Sequence, residues 1–406
     1  MDAPKKIGIF GGTFNPPHAG HILAARTAAK RLNLDLLLLI PAGLPPHKSL
    51  PEDTPTPEQR LEMLKIAIDG LPELSVSDLE LRREGKSYTV DTVRQLKKEY
   101  PGGEFWLLMG TDMFLTLEEW HEHKALLNMV HIVVFNRTEE NKKTVTQVQV
   151  ELLRQKYGVW VEFIELRPVK ICSTDLRTAF ENGSRNKCVS SAVYGYILRN
   201  GLYGVKKNLK HLPLEDLRAA AFSLLKAKRI PHVLGTEQAA VALARQYGAP
   251  EQDARVAALL HDCTKKRNME EQLKLCAKYG IVLDHLEKEN VKLLHARTGA
   301  ALALDLFGVS EKVYSAIRWH TTGKADMTLL EKIIYLADFI EPTRNFPGVD
   351  RLRQLAIENL DAAMLMGLEK TIRKMEESNS PIHFRTLEAY NWLKGTNDEF
   401  KKGKQP

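Results

Sequence analysis

Short apolar runs alternate with segments of helical periodicity through the first half of this 406-residue chain. The runs are apolar on both faces, which is typical of parallel strands that are covered by helices on either side. The predicted strands span residues 7–10, 36–40, 74–76, 105–109, 131–135 and 159–164. The predicted helices span residues 20–32, 57–68, 90–99 and 117–127. The alternation therefore predicts an α/β domain with a parallel sheet, in which ligands bind at the carboxyl ends of the strands.

The second half has a different pattern from about residue 214 onward. Apolar residues recur at helical spacing, as in Val256, Leu259 and Leu260, and no segment reads as a convincing strand. Glycines and lysines interrupt the periodicity at residues 201–208, which indicates a domain boundary. We expect a multidomain chain with a first domain at residues 1–204, a linker at 205–212, an all-α helix bundle at 213–399 and a basic tail at 400–406.

The composition favours a cytoplasmic protein that binds small anions. The formal net charge is +7, but the basic residues are spread along the chain, so we expect a solvated surface and no nucleic-acid partner. The four cysteines form no CxxC pair, as is usual in a reduced cytosol. The most apolar segment, residues 34–40, is too short to span a bilayer, and no signal peptide is evident. We therefore expect no membrane partner.

The first motif with chemical content is GGTFNPPHAGH, at residues 11–21. Gly11 and Gly12 allow a tight backbone turn close to a ligand at the end of a strand. A helix that begins near His18 would offer its free N–H groups and its dipole to phosphates. His18 and His21 are three residues apart, so both can face one phosphate and stabilise charge that grows on it. The alternative is a glycine turn followed by two histidines that cap a helix.

This motif resembles the HxGH signature of the nucleotidyltransferase superfamily, and its full form resembles the GGTFNPPHxGH of bacterial nicotinate-mononucleotide adenylyltransferases, the NadD family. A second segment, KICSTDLR at residues 170–177, is similar to the ISSTxxR motif of that family, with Cys172 in place of the first serine. The resemblance covers residues 1 to about 204 and implies a Rossmann-like nucleotidyltransferase domain. It assigns ATP or substrate contacts to residues in several segments: Gly11, Gly12, Thr13, Phe14, His47, Lys48, Tyr88, Thr89, Gly110, Asp112, Trp120, Ser173, Thr174 and Arg177.

The resemblance also implies a reaction. Members of the family transfer AMP from ATP to nicotinate mononucleotide, which yields deamido-NAD and pyrophosphate. His18 and His21 would be the catalytic residues, Mg²⁺ would accompany ATP, and no protein nucleophile would be needed. Tyr88 and Thr89 would recognise the nicotinate ring, and Trp120 would stack on a ring. A nucleotide-sensing domain without turnover is the alternative from another functional class.

A scattered set of histidines and aspartates marks the second half. Histidine and carboxylate ligands suit zinc, iron or manganese, and ligand type alone does not fix the metal. Five predicted helices, at 253–260, 296–307, 311–319, 329–340 and after residue 231, would aim these side chains into a bundle. We expect the metal ligands to be His232, His261, Asp262, His295, His320 and Asp338. His285 and His383 lie in polar surroundings and are expected to be bystanders.

The order H…HD…H…H…D resembles the HD-domain phosphohydrolases. The segments HDCTK at residues 261–265, RWHTTG at 318–323 and LADFIEPTR at 336–344 resemble the YqeK family, which cleaves diadenosine tetraphosphate symmetrically into two ADP. The resemblance spans residues 213 to about 395 and implies one or two transition-metal ions, with iron expected and Asp262 as the bridging ligand. The resemblance implies that Lys265 and Arg344 contact phosphates and that Lys265 is a catalytic residue. The alternative is that both are solvated charges at helix ends.

Together these features predict a bifunctional nucleotide enzyme whose partners are ATP, nicotinate mononucleotide and diadenosine tetraphosphate. Two alternatives stay open for the second half. It could act on another phosphorylated nucleotide, such as a guanosine polyphosphate or a nucleoside monophosphate. It could also be a metal-binding module that regulates or dimerises the first half. The sequence leaves open whether the protein is a homo-oligomer.

Overall fold

The computed structural model describes residues 5–46, 49–136, 140–166 and 173–402. The chain divides into two compact units, Met1–Lys207 and Asn208–Pro406. Among the described residues, no helix combines the length and the apolar character that crossing a membrane requires.

A sheet of six strands, all parallel, forms the centre of the first unit, as the alternation of the sequence predicts. The order of its strands is β3-β2-β1-β4-β5-β6. The strands are β1 (Lys6–Gly12), β2 (Leu36–Pro41), β3 (Leu74–Val76), β4 (Glu104–Gly110), β5 (His131–Asn136) and β6 (Val161–Glu165). The helices are α1 (Ala19–Arg31), α2 (Pro57–Ile68), α3 (Thr89–Glu99), α4 (Thr111–Leu115), α5 (His123–Leu127), α6 (Glu140–Tyr157), α7 (Ser173–Glu181) and α8 (Ser191–Asn200).

Both faces of this sheet are buried, because alternate residues of each strand point to opposite sides. In β2, Leu38 and Ile40 join a core cluster that includes Val90 and Val93 of α3. Leu37 and Leu39 of the same strand join a second cluster with the buried alanines of α1. The strand order reverses between β2-β1 and β4-β5, which leaves a crevice outside the carboxyl ends of β1 and β4.

The helix predicted at residues 117–127 is wrong as a single element. A 3₁₀ turn at Leu117–Glu119 is followed by Trp120 in extended backbone, and α5 begins only at His123. Glu122, which precedes α5, has a left-handed φ of 49°, and an α-helix cannot continue through that conformation. The break leaves Trp120 beside the carboxyl end of β4 instead of on a helix face.

The second unit contains helices and no strand among its described residues. Its helices are α9 (Leu214–Phe222), α10 (Ile230–Tyr247), α11 (Glu251–Leu260), α12 (Met269–Lys278), α13 (His285–Glu289), α14 (Val291–Phe307), α15 (Glu311–Trp319), α16 (Leu329–Ile340), α17 (Val349–Glu358), α18 (Leu360–Glu377) and α19 (Phe384–Lys402). Helix α10 packs on α11 and α16, and α15 packs on α14 and α16. The bundle predicted from periodicity is therefore confirmed.

Local capping explains where these helices begin and end. The side chain of Thr328 accepts from the N–H of Glu331 at the start of α16, and Gly248 and Gly308 end α10 and α14 in the left-handed conformation. The prediction that α14 begins after His295 is wrong. Asn290 caps this helix through the N–H of Lys292, so His295 lies within α14 rather than before it.

Candidate nucleotide and metal sites

A cavity of about 500 Å³ lies at the carboxyl ends of β1 and β4 in the first unit. The preference of parallel sheets for ligands at this edge explains its place. Many of the residues that the first motifs nominate line it, namely Gly11, Gly12, Thr13, Phe14, His21, Thr89, Gly110 and Trp120. His47, Lys48 and Cys172 lie outside the described residues.

The two histidines of the first motif stack on each other at the start of α1. Their ring centroids are 3.8 Å apart with an angle of 32° between the planes. The Nδ1 of His18, the N-cap, accepts from the N–H of Gly20 at 3.2 Å, and the Nδ1 of His21 accepts from the N–H of His18 at 3.3 Å. Because Nδ1 is the acceptor in each neutral ring, Nε2 carries the hydrogen. Both imidazoles are therefore set up as Nε2–H donors.

The sequence predicts a tight turn at Gly11 and Gly12, and this prediction is wrong. Gly11 and Gly12 are the last residues of β1, and the residue with a left-handed φ is Phe14, at 46°. The ring of Phe14 is buried and lies edge-on against His21, with centroids 5.1 Å apart. A Cβ on Gly11 would meet no atom within 4 Å, so its backbone borders open space. The glycines thus serve close approach, while Phe14 makes the turn.

A buried arginine, which the motif analysis missed, holds the loops behind this cavity. Arg60 of α2 is 1% exposed and donates to the carbonyls of Thr13 at 2.8 Å, Ala42 at 2.7 Å and Pro55 at 3.3 Å. Burial lowers the pKa of its guanidinium. The signal was present in the sequence, because Arg60 shares the helical spacing of the buried Met63 and Leu64 and so occupies a core position.

The segment that carries the second motif is tied to the first. Arg177 donates to the carbonyl of Asn15 and to the hydroxyl of Thr174, both at 3.0 Å, and Ser173 donates to the carbonyl of Pro16 at 3.5 Å. The phenol of Tyr203 donates to the side chain of Asn15 at 2.7 Å. These contacts bring the beginning of α7 next to the loop before α1.

The residues that the resemblance assigns to the nicotinate ring lie at the start of α3. Tyr88 is the N-cap of α3 and Thr89 is its first residue. The Oγ of Ser87 accepts from the N–H groups of Gly43 at 3.1 Å and Leu44 at 3.3 Å, which orders the loop after β2. Asp112 is the second residue of α4, and Gly110 is the N-cap of this helix.

In the second unit, the six predicted ligands converge on one place in the bundle. Asp262 lies at their centre, fully buried. Its Oδ2 lies 3.4 Å from the Nε2 of His261 and 3.8 Å from that of His232. Its Oδ1 lies 3.3 Å from the Nε2 of His295 and 3.8 Å from that of His320. The two oxygens of one carboxylate thus face two different pairs of histidines.

Most of the remaining distances fit a shared ion on each side, while the Nε2 of His261 lies 3.9 Å from Oδ1 of Asp338. The Nε2 of His232 lies 3.3 Å from the Nε2 of His261 and 3.0 Å from Oδ1 of Asp338. The Nε2 atoms of His295 and His320 are 3.1 Å apart. Two ligands at about 2.1 Å from one ion lie about 3.0 to 3.4 Å apart, so this donor set fits a transition metal.

Three of these histidines have their ring orientation fixed by local hydrogen bonds. The Nδ1 of each donates to the backbone carbonyl three residues earlier: His261 to Ala258 at 2.6 Å, His295 to Lys292 at 2.7 Å and His320 to Ile317 at 2.6 Å. Nε2 is then left with its lone pair, turned to the centre of the cluster. Neighbouring lone pairs at these distances repel unless a cation lies between them.

The protonation states of the cluster also favour a cation. Burial would raise the pKa of Asp262, but His261 and His295 lower it well below its usual range. Burial lowers the pKa of His295, and burial with the neighbouring histidines lowers that of His320 well below its ordinary value. Burial opposes a charge on His261, but Asp262 and Asp338 raise its pKa. A metal ion would therefore displace a proton from this imidazole, whereas Asp262 is already ionised and His295 and His320 are neutral.

Three cationic side chains surround the cluster. Lys265 lies 3.0 Å from Oδ1 of Asp262, and Arg344 donates to Oδ1 of Asp338 at 2.7 Å. Arg229, which the sequence motifs do not nominate, donates from Nε to Oδ2 of Asp262 at 2.5 Å. Each is partly exposed, so a phosphate can reach it from solvent. The place of Arg229 in the sequence could have indicated its contact with the cluster, because Arg229 lies three residues before the predicted ligand His232 and so faces the same side of a helix.

The two bystander histidines behave differently. His285 has a side chain that is 90% exposed, whereas His383 is buried beside polar groups. The Nε2 of His383 lies 2.9 Å from Oδ2 of Asp284. Glu287, close by, forms an ion pair with Arg297 at 2.5 Å. The guanidinium of Arg297 neutralises Glu287. The group formed by Asp284, Glu287 and His383 is therefore better explained by ion pairs that hold these segments together than as a cation site.

Comparisons with known proteins match the two units separately. A family model described as cytidylyltransferase-like matches residues 9–179, and one described as an HD domain matches residues 229–343. A protein of Carboxydothermus hydrogenoformans, named "Probable nicotinate-nucleotide adenylyltransferase", is 36% identical over 202 residues, which are 50% of this chain and 99% of that protein. The symmetrical bis(5′-nucleosyl)-tetraphosphatase of Bacillus subtilis is 39% identical over 180 residues, 44% of this chain and 96% of that protein.

A solved structure also matches the second half. The crystal structure of a "predicted HD superfamily hydrolase involved in NAD metabolism" from Clostridium acetobutylicum is 40% identical. The match covers 46% of this chain and 98% of that one, with a TM-score of 0.45.

Proposed function

The chain belongs to the NadD family of nicotinate-nucleotide adenylyltransferases in its first half and to the HD-domain YqeK family in its second, and we propose that it is a bifunctional nucleotide enzyme. The first unit transfers AMP from ATP to nicotinate mononucleotide, giving deamido-NAD and pyrophosphate. The second hydrolyses diadenosine tetraphosphate to two ADP. Both reactions act on phosphate chains bound by fixed positive groups.

The stacked histidines support the proposal for the first unit. His21 lines the cavity and His18 packs against it at the start of α1, whose helix dipole favours an anion. Contrary to the sequence prediction, the N–H groups of Ala19 and Gly20 are not free for a phosphate, because they donate to the carbonyl of Cys188 and to His18. A phosphate of nicotinate mononucleotide attacks the α-phosphorus of ATP in line, and His18 and His21 stabilise the charge that develops there. Mg²⁺ accompanies the polyphosphate of ATP, and Ser173, Thr174 and Arg177 hold its far end. Positioning then supplies the catalysis without a protein nucleophile.

Further residues at the cavity support a pyridine mononucleotide as acceptor. Trp120 and Thr89 line the cavity, and Tyr88 precedes Thr89 as the N-cap of α3. The N-terminus of a helix favours an anionic carboxylate over a neutral amide. We therefore expect nicotinate mononucleotide to be preferred to its amidated counterpart.

The divided carboxylate of Asp262 is the observation that carries the proposal for the second unit. One oxygen faces His232 and His261, and the other faces His295 and His320. His232, His261 and Asp338 would hold one ion and His295 and His320 the other, with Asp262 between them and iron as the expected metal. When bound, the ions supply Lewis acidity that activates water and neutralises phosphate charge.

The cations around the cluster would determine where the phosphate chain is cut. Lys265 lies beside Oδ1 of Asp262, Arg229 lies beside Oδ2 of the same carboxylate, and Arg344 lies beside Asp338. Guanidinium and ammonium groups in this arrangement can hold phosphates on either side of the one that is attacked. A central phosphorus placed at the ions would give two ADP rather than ATP and AMP.

Reciprocal variants of the full chain test both assignments in one experiment. His18→Ala should lower kcat for pyrophosphate release by about 10² to 10³, the loss expected for one transition-state donor. It should leave tetraphosphate hydrolysis unchanged. Asp262→Ala should remove bound metal and hydrolysis together and leave adenylyl transfer intact. The measurements are pyrophosphate release, elemental analysis and chromatography of the nucleotide products.

The exposed His285 provides the matched control, and His285→Ala should change neither activity. A wild type that releases no pyrophosphate with any pyridine mononucleotide contradicts the first assignment. A metal-loaded wild type that leaves diadenosine tetraphosphate uncut contradicts the second, in favour of another nucleotide substrate or a regulatory metal module.

A further inference from the structure

One histidine of the metal cluster has its ring fixed in a different way from the other three. His261, His295 and His320 donate their Nδ1 hydrogens to backbone carbonyls three residues earlier. The Nδ1 of His232 instead lies 2.9 Å from Oε1 of Glu341, which is 109 residues away in the sequence. A carboxylate that accepts from the ring leaves Nε2 with the lone pair, as in the other three.

The position of His232 in its helix differs from those of His261 and His320. It lies in the first turn of α10, which begins at Ile230. The carbonyl three residues earlier belongs to Arg229, the N-cap, and such a carbonyl is the acceptor of the first helical hydrogen bond. His261 and His320 directly follow the last residues of α11 and α15, where carbonyls lack helical partners.

Glu341 is held firmly in the orientation that this contact requires. It is fully buried directly after the last residue of α16. The backbone N–H and the hydroxyl of Thr343 each donate to its carboxylate at 2.6 Å. Gly235, one turn after His232 on α10, leaves the room, because a Cβ there would lie 2.5 Å from Oε2 of Glu341. A buried carboxylate with this many partners has little freedom to turn away.

We propose that Glu341 is a positioning residue for the metal cluster, which aims the Nε2 of His232 at Asp338 and Asp262, and that Gly235 is required because it makes room for this carboxylate. The inference rests on the proposed metal site, but not on the proposed hydrolysis. It extends the functional set to two residues that bind neither metal nor substrate directly. The competing explanation is that Glu341 only joins α10 to α16.

Metal affinity distinguishes these explanations, because a contact that merely joins two helices acts on stability alone. The metal-free full chain is titrated with cobalt(II), whose visible absorption reports its ligands, and its thermal unfolding is followed without metal. Glu341→Gln and Gly235→Ala should each weaken cobalt binding by about 10- to 100-fold, the usual effect of losing such a partner. The two changes should not add in the double variant, since both act through one carboxylate.

Glu331→Gln is the matched control. Glu331 lies on the same helix, is 1% exposed and contacts Ser315, Thr328 and Lys324 rather than a metal-site residue. It should lower the stability of the metal-free protein and leave cobalt affinity unchanged.

Unchanged cobalt affinity in both Glu341→Gln and Gly235→Ala would overturn the inference, as would an equal loss in Glu331→Gln. A wild type that binds no cobalt overturns the metal site and the inference with it. A wild type that binds cobalt but cuts no diadenosine tetraphosphate overturns the hydrolase alone and leaves the role of Glu341 standing.

Discussion

At the scale of single residues, a buried carboxyl group gives the wall of the first cavity an unusual sensitivity to pH. Glu80 is 7% exposed, lines the cavity and accepts from the hydroxyl of Thr92 at 2.7 Å. Thr92 also accepts from Arg83 at 3.1 Å. Burial raises the pKa of Glu80 despite these contacts, because the charged form loses more hydration than they return.

Replacing Glu80 by glutamine should therefore stabilise the protein more as the pH rises. The folded state holds the Glu80 proton more tightly than the unfolded chain does. The stability that this provides is fully present below the ordinary carboxyl pKa and is lost as pH rises through the raised value. Glutamine is neutral throughout and can still accept from Thr92. Thermal unfolding of both proteins between about pH 5 and 8 should show a difference, variant minus wild type, that grows with pH.

The exposed neighbour Glu84 offers the control, and Glu84→Gln should give a difference close to zero at every pH. A Glu80→Gln difference that stays flat, or that shrinks as the pH rises, would contradict the buried, proton-retaining carboxyl group.

At the scale of elements, α16 connects one proposed metal ligand to the residue that we propose as the positioning partner of another. It carries Asp338 near its end and is followed directly by Glu341. Its start is fixed by a reciprocal cap, in which Thr328 accepts from the N–H of Glu331 and Glu331 accepts from the N–H of Thr328 at 2.7 Å. The helix therefore has a defined beginning as well as a functional end.

Thr328→Ala should lower the free energy of unfolding of the second unit by about 1 kcal/mol, the usual value of an N-cap side chain. Thr328→Ser, which keeps the hydroxyl, should recover most of that loss. Denaturant unfolding of the full chain, followed by circular dichroism, measures both. Equal stability of the alanine variant and the wild type would show that the rest of the bundle holds α16 without its cap.

The same local signals explain what could be read from the sequence. The predicted helices 57–68, 311–319 and 329–340 match the structure at both ends, because Thr56, Ser310 and Thr328 cap them through their own neighbours. The helix at 117–127 failed because the left-handed Glu122 leaves no trace in hydrophobic periodicity. Conformation set by one backbone angle is not encoded in the apolar pattern.

The limits at the sites have the same origin. The histidines and aspartates of the second unit could be nominated because ligand type and order carry information along the chain. Glu341 could not, since its contact with His232 spans 109 residues and exists only once α10 packs on α16. Arg60 is a different case, because its core position can be read from helical spacing but the carbonyls that it binds come from three separate segments.

At the scale of the whole molecule, each unit has a core and a candidate site of its own. The division falls between Lys207 and Asn208. We propose residues 205–212 as the linker, on the ground that the strand-helix alternation ends before it and the helical bundle begins after it. Independent cores are the condition for independent folding.

Fragments that end near residue 205 and that begin near residue 209 should each unfold cooperatively, in transitions that match those of the full chain. Calorimetry and circular dichroism of the fragments and the intact protein provide the comparison. If both fragments were insoluble alone and recovered only when expressed together, a shared core would be indicated instead.

The confinement of each candidate site to one unit affects how the two proposed activities can change in evolution. A mutation that damages one site leaves the residues of the other untouched, so selection can tune or discard either chemistry as though two genes were present. Translation cannot separate them in the same way, because each ribosome that finishes the first unit goes on to make the second. A cell that carries this chain therefore makes both units in equal copy number, and only their turnover rates remain free to set the balance between the two activities.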